Sequence, residues 1–201
     1  MRRRLAGEAA ILAASALLAA ASLLLLYATA KPLVVLRGSL RGYVSLVGYS
    51  VEGPEGAVES LIWDYTSHVS IVVMLASMIA LTFSAYALAS LFRPGWFKVA
   101  AAGLYASSLV VMVGHVTARG LAVLALRELG HIRISTIKTT AGLIVFPPTE
   151  TVYTAAYRIL FGRLEEALVT ASLALSSYLI YLAITGGASG SEVISPTPPS
   201  S

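Results

Sequence analysis

The chain has 201 residues, 57 % of them apolar and 12 % charged, with a mean hydropathy of +0.82. Soluble domains carry about a quarter charged residues, so this balance excludes disorder as the main state, argues against a soluble enzyme domain and fits an integral membrane protein. The net charge of +4 is small and scattered, which points to membrane lipid and not to nucleic acid as a partner.

Cys, Asn and Gln are absent. Without Cys there are no disulfides, thiolate metal sites or cysteine nucleophiles. Without Asn there is no N-glycosylation acceptor. Losing all three labile side chains together suits a thermophile.

A membrane-spanning helix needs roughly 20 apolar residues at about 1.5 Å each. Four stretches qualify: 9–30, 70–92, 99–117 and 167–185, none containing Asp, Glu, Lys or Arg. The first could also be a secretory signal, since Arg2–Arg4 precede it and Ala28-Thr29-Ala30 ends it. Its apolar run exceeds the usual 7–15 residues of a signal peptide, which favours an uncleaved helix. The first outer connection, 31–69, is β-like over 33–51 and alternates from Leu40 to Val51, with Tyr43, Val47, Tyr49 and Val51 on one side and Gly38, Gly42 and Gly48 interrupting it as bends or bulges would. Residues 57–65 read as a short helix with Trp63 and Tyr65 at the interface. Arg93-Pro94-Gly95 turns the second span into the third, making an antiparallel hairpin.

The second outer connection, 118–166, extends the third helix to a stop at Gly130. His131–Ile134 and Leu143–Phe146 then read as strands, and Thr151–Glu166 as an interfacial helix. Strands cannot lie unpaired against lipid, so the two connections should share one sheet. The tail, 186–201, reads as disordered. The fold class expected is therefore an all-α membrane protein: a four-transmembrane-helix bundle (1–185) with a small extracytoplasmic β-rich cap. Arg2–Arg4, Arg93 and Lys98 place both termini in the cytoplasm of a multi-pass cell-membrane protein. This layout is similar to that of claudin-type four-helix proteins, whose first outer loop also forms a sheet. Their Trp-rich loop motif and paired cysteines are absent here, so no functional residue is carried over.

No motif of a known catalytic chemistry is present, and no catalytic, metal-binding or cofactor-binding residue is assigned. His115 and Arg119 are spaced i,i+4 near the outer end of the third helix and share a face. Ionisable groups at membrane depth are functional candidates. Asp64 and His68 are spaced likewise. His68 and His115 differ in height by about 10 Å at 1.5 Å per residue, too much for two axial ligands of one haem. Glu165-Glu166, adjacent on a helix, should diverge and so imply no paired-carboxylate site. Small residues on the second helix (Ser77, Ala80, Ser84, Ala87) and the third (Gly103, Ser107, Gly114, Ala118) form packing seams.

The leading expectation is a non-enzymatic scaffold, assembly or accessory subunit. Its cap would bind another membrane protein, or a second copy of this chain, through Tyr43 and Tyr49. The alternative is a small transport or redox/haem-binding subunit using His115, Arg119 and His68.

Overall fold

The computed structural model describes residues 2–92, 96–140 and 149–188, with side chains described for 6–92, 96–133 and 149–185. Five helices and five strands follow in the order α1 (Arg2–Ala30), β1 (Val34–Arg37), β2 (Arg41–Val44), β3 (Tyr49–Gly53), β4 (Gly56–Ala57), α2 (Leu61–Ala89), α3 (Phe97–Thr140), β5 (Glu150–Tyr153), α4 (Ala155–Phe161) and α5 (Arg163–Ala188). A 3-10 turn, Ser90–Phe92, ends α2. Helices α1, α2, α3 and α5 are each long and apolar enough to cross a membrane.

These four helices pack by a heptad-like repeat. The buried stripe of α2 is Trp63, Thr66, Ser70, Val73, Ser77, Ala80, Ser84 and Ala87, alternating steps of three and four. In α1 the same steps join Ile11, Ala14, Leu18, Ala21, Leu25 and Ala28. This repeat keeps a seam facing its partner along the whole helix. Many seam residues are Ser or Ala, which lets backbones approach closely. Ser84 Oγ reaches across to donate to the Ser15 carbonyl at 2.6 Å. The small residues foreseen on α2 and α3 thus pack within the chain: Ser77, Ala80, Ser84, Ala87, Ser107 and Ala118 are all buried, and Gly114 faces Leu25 and Val73.

Polarity is inverted relative to a soluble bundle. Serines line the interior while Ile71, Leu75, Met78, Ile79, Val113, Val116 and Ile184 are exposed. An apolar belt of this kind matches a hydrocarbon surround.

The five strands form one antiparallel sheet in the order β4-β3-β2-β1-β5. Both connections contribute, since β1 pairs with β5 through Val34↔Tyr153 and Leu36↔Thr151. Val34, Leu36, Val44 and Val51 cover a second core with Leu40, Trp63, Ala125 and Leu129.

Several expectations are corrected here. Residues 131–134 are helical, because α3 runs 44 residues to Thr140. Ala125, Leu129 and Ile132 recur at helical spacing and pack beneath the sheet, and this outweighs a four-residue alternation. Gly130 stops nothing; it lies inside α3 with open space around it. Residues 151–153 are strand, recruited as the partner of β1, and the helix behind them breaks at Gly162. The second span starts at Leu61, nine residues earlier than foreseen, with Ser60 capping it. Trp63 lies in the cap core at 1 % exposure, its indole N–H donating to the Ala125 carbonyl at 3.0 Å. The 143–146 segment and residues 189–201 of the tail lie outside the described residues.

Candidate functional site

The strand-to-helix join sets the position of the last span. Thr154 Oγ donates to the carbonyls of Pro32 and Leu33, tying the start of α4 to the end of α1. Helix α4 buries Ala156 and Leu160 and stops at Gly162, which has an extended backbone (ψ 167°). A Cβ there would stand 2.6 Å from the Arg158 carbonyl oxygen, so glycine permits the tight turn. The chain then re-enters the bundle as α5, with Glu165 and Glu166 in its first turn. Carboxylates suit that position, where the unpaired N–H groups of a helix start carry partial positive charge.

Two adjacent residues of α5 meet two residues one turn apart on α3. Glu165 is fully buried, and its Oε1 lies 3.0 Å from Nδ1 of His115, itself only 4 % exposed. The contact is at ion-pair distance, but the ring N–H is not aligned on the oxygen as in a hydrogen bond, and both Glu165 oxygens lack such a bond. Glu166 pairs with Arg119, whose side chain is 43 % exposed. Glu166 Oε1 also lies 3.8 Å from His115 Nε2. The Arg119 guanidinium sits 5.6 Å above the Phe161 ring. Phe161 stacks on Tyr157 and Tyr157 on Tyr153, with centroids 4.7 and 4.5 Å apart. Four ionisable side chains thus form one cluster, its inner pair buried and its outer pair at the surface. Below it α3 presents Val111 and Leu104, and α5 presents Val169 and Leu179, all buried.

Of the residues singled out from sequence, His115 and Arg119 come together as expected. Asp64 and His68 do not join them: both are exposed, and His68 Nδ1 lies 2.7 Å from the carbonyl oxygen of Asp64, within its own helix. Tyr43 and Tyr49 do not share a face. Tyr43 pairs with exposed Ser50, while Tyr49 pairs with buried Val44. The interruption at Gly48 is a full turn between β2 and β3 that shifts the alternation, so the two tyrosines do not lie on one side as expected. Tyr49 is committed internally: its ring lies 4.7 Å from that of Trp63, and its hydroxyl accepts from the Ser60 N–H at 3.2 Å. Ser60 Oγ in turn donates to Glu128 at 3.0 Å.

Glu165 was missed. Adjacent residues do diverge on a helix, and these two do, one inward and one outward; the partner helix meets both because its own pair is spaced by one turn. The usable signal was the buried stripe of α5, in which Glu165 precedes Val169, Ser172, Ser176 and Leu179 at steps of three and four. Among the described residues, no group of three or more His, Asp or Glu is arranged to hold a metal ion. No protein-family model matches the chain, and no curated protein or solved structure is found similar to it.

Proposed function

We propose that this chain is a non-enzymatic multi-pass membrane subunit whose working group is a proton-binding centre, His115–Glu165. The observation that carries this reading is a fully buried carboxylate held against a buried imidazole where a spanning helix begins. An ionisable pair at membrane depth is costly and is usually retained for function. Imidazole is the side chain best suited to changing charge near neutral pH. Of the transport and redox alternatives, this favours proton-linked work, because His68 stands apart from the cluster. In this reading both termini are cytoplasmic, the sheet is extracytoplasmic and lipid surrounds the apolar belt.

The test is proton counting. Purified protein in lipid nanodiscs is taken from pH 9 to pH 4, and the protons bound are measured against the variant H115Q/E165Q. Wild type takes up at least one more proton per chain. Identical curves at equal folded content refute the proposal.

A second reading keeps the cap as a docking surface for a membrane protein or a second copy of the chain. It is favoured by Tyr43, 42 % exposed on the outer sheet face beside Val35, its neighbour on β1. The pairs Arg37↔Glu150 and Arg41↔Glu52 flank these two. A photo-crosslinker at residue 43 in native membranes captures that partner; capture of lipid alone removes this reading.

A further inference from the structure

We infer that the His115–Glu165 centre exchanges protons only with the compartment on the sheet side, through the Arg119–Glu166 pair, and passes none to the other side. The inference rests on the proton-binding reading and adds its direction.

The outward route is short and polar. Glu166 Oε1 lies 3.8 Å from His115 Nε2 and is paired with Arg119, and both outer side chains are about half exposed. A proton arriving from solvent binds Glu166 and crosses the 3.8 Å to Nε2 of a neutral imidazole by way of one water, and Nδ1 then releases its own proton to Glu165 Oε1, 3.0 Å away. Each transfer breaks one O–H or N–H bond and forms another, so the balance needs only water outside. The inward route has no such chain. Val111 lies one turn below His115 and Val169 one turn below Glu165, both buried. On the α3–α5 seam the next hydroxyls, Ser108 and Ser172, bond to each other at 2.9 Å, and Ser172 donates onward to the Ala14 carbonyl; Ser15 and Ser22 of α1 are buried as well. Beneath Ser108 and Ser172, Leu104 and Leu179 close the seam again, each with no exposed surface. Along this seam two apolar layers separate the centre from the hairpin end, and apolar constrictions of this kind hinder the passage of water and ions.

The groups facing the centre are few. Helix α3 supplies His115 and Arg119, and α5 supplies Glu165 and Glu166. Helix α4 contributes Phe161 beneath Arg119. Among the described residues, the buried faces of α1, packed on both α3 and α5, and of α2, packed on α3, hold no titratable residue. Occupancy of the centre therefore follows the chemistry of one compartment. Arg119 acts as a positioning residue: it holds Glu166 at the mouth, with its guanidinium over an aromatic ring.

The natural absence of cysteine makes the test direct. Single cysteines at positions 166, 108 and 104 are probed in sealed vesicles with a membrane-impermeant thiol reagent, applied outside or trapped inside. Position 166 is labelled from one side only, and positions 108 and 104 from neither. In vesicles sorted by orientation, the infrared carboxyl signal removed by Glu165→Gln follows the pH on the side that labels position 166. Arg119→Ala slows this response at least several-fold, and Arg119→Lys restores part of it. Response to the opposite pH, labelling of position 108 from the opposite side, or proton flux above that of empty vesicles overturns the inference while leaving the centre intact. If no carboxyl signal depends on Glu165 at any pH, the proton-binding reading falls with it.

Discussion

At the residue scale the chemistry depends on how one buried carboxylate is accommodated. Removing one partner of a buried polar pair leaves the other unsatisfied, at a cost of about 1–3 kcal/mol and more when it is charged. His115→Ala should therefore destabilise the protein by about that much, whereas His115→Ala combined with Glu165→Ala should recover most of the loss. Denaturant titration of these two variants and of Glu165→Ala alone checks the cycle; additive losses would show that the two side chains do not act as a pair. Half of this cluster could be read from sequence. The i,i+4 spacing of His115 and Arg119 placed them on one face, and membrane depth marked them. Glu165 and Glu166 could not be matched to them without knowing where α5 starts, and that start depends on the turn at Gly162.

At the scale of elements, the apolar spans were legible because hydrophobic length is a strong signal, while the cap was only partly so. The strand character of 40–51 and an interruption at Gly48 were visible, but not that the chain reverses there. Ser45 closes that turn, its hydroxyl donating to the Gly48 carbonyl and its N–H to the same oxygen, and it shifts Tyr43 and Tyr49 to opposite faces. Partner choice was also hidden, since β1 takes β5 from 113 residues further along the chain, counting Arg37 to Glu150. Gly42 gives a sharp test of the sheet. It has φ +127°, and a Cβ there would sit 1.8 Å from the Ser50 carbonyl oxygen. Gly42→Ala should open the β2–β3 hairpin and raise amide exchange across 41–53. Gly48→Ala, with nothing within 4 Å of its Cβ, should leave exchange unchanged. Equal protection in both variants would mean that the close strand contact is not required.

At the scale of the whole molecule, apolar belt and small-residue interior act together. In the proposed membrane setting, lipid gives no hydrophobic drive between helices, and cohesion then comes from close packing and from hydrogen bonds across the seams. Ser84 illustrates both, being buried and bonded to the Ser15 carbonyl. Ser84→Leu should overpack the α1–α2 seam and cost about 1–3 kcal/mol, whereas Ile79→Leu on the exposed face should change stability little. Thermal unfolding in one detergent compares them; an Ile79→Leu loss as large as that of Ser84→Leu would contradict the inverted architecture. Among the described residues the bundle holds, between belt and cap, one buried carboxylate–imidazole contact, and the functional account rests on its taking a proton. The most direct measurement is infrared difference spectroscopy of the protein in membranes as pH is lowered. The account requires a protonated-carboxyl band that appears with falling pH in the wild type and is missing in Glu165→Gln; an identical band in both proteins, or none in either, would contradict it.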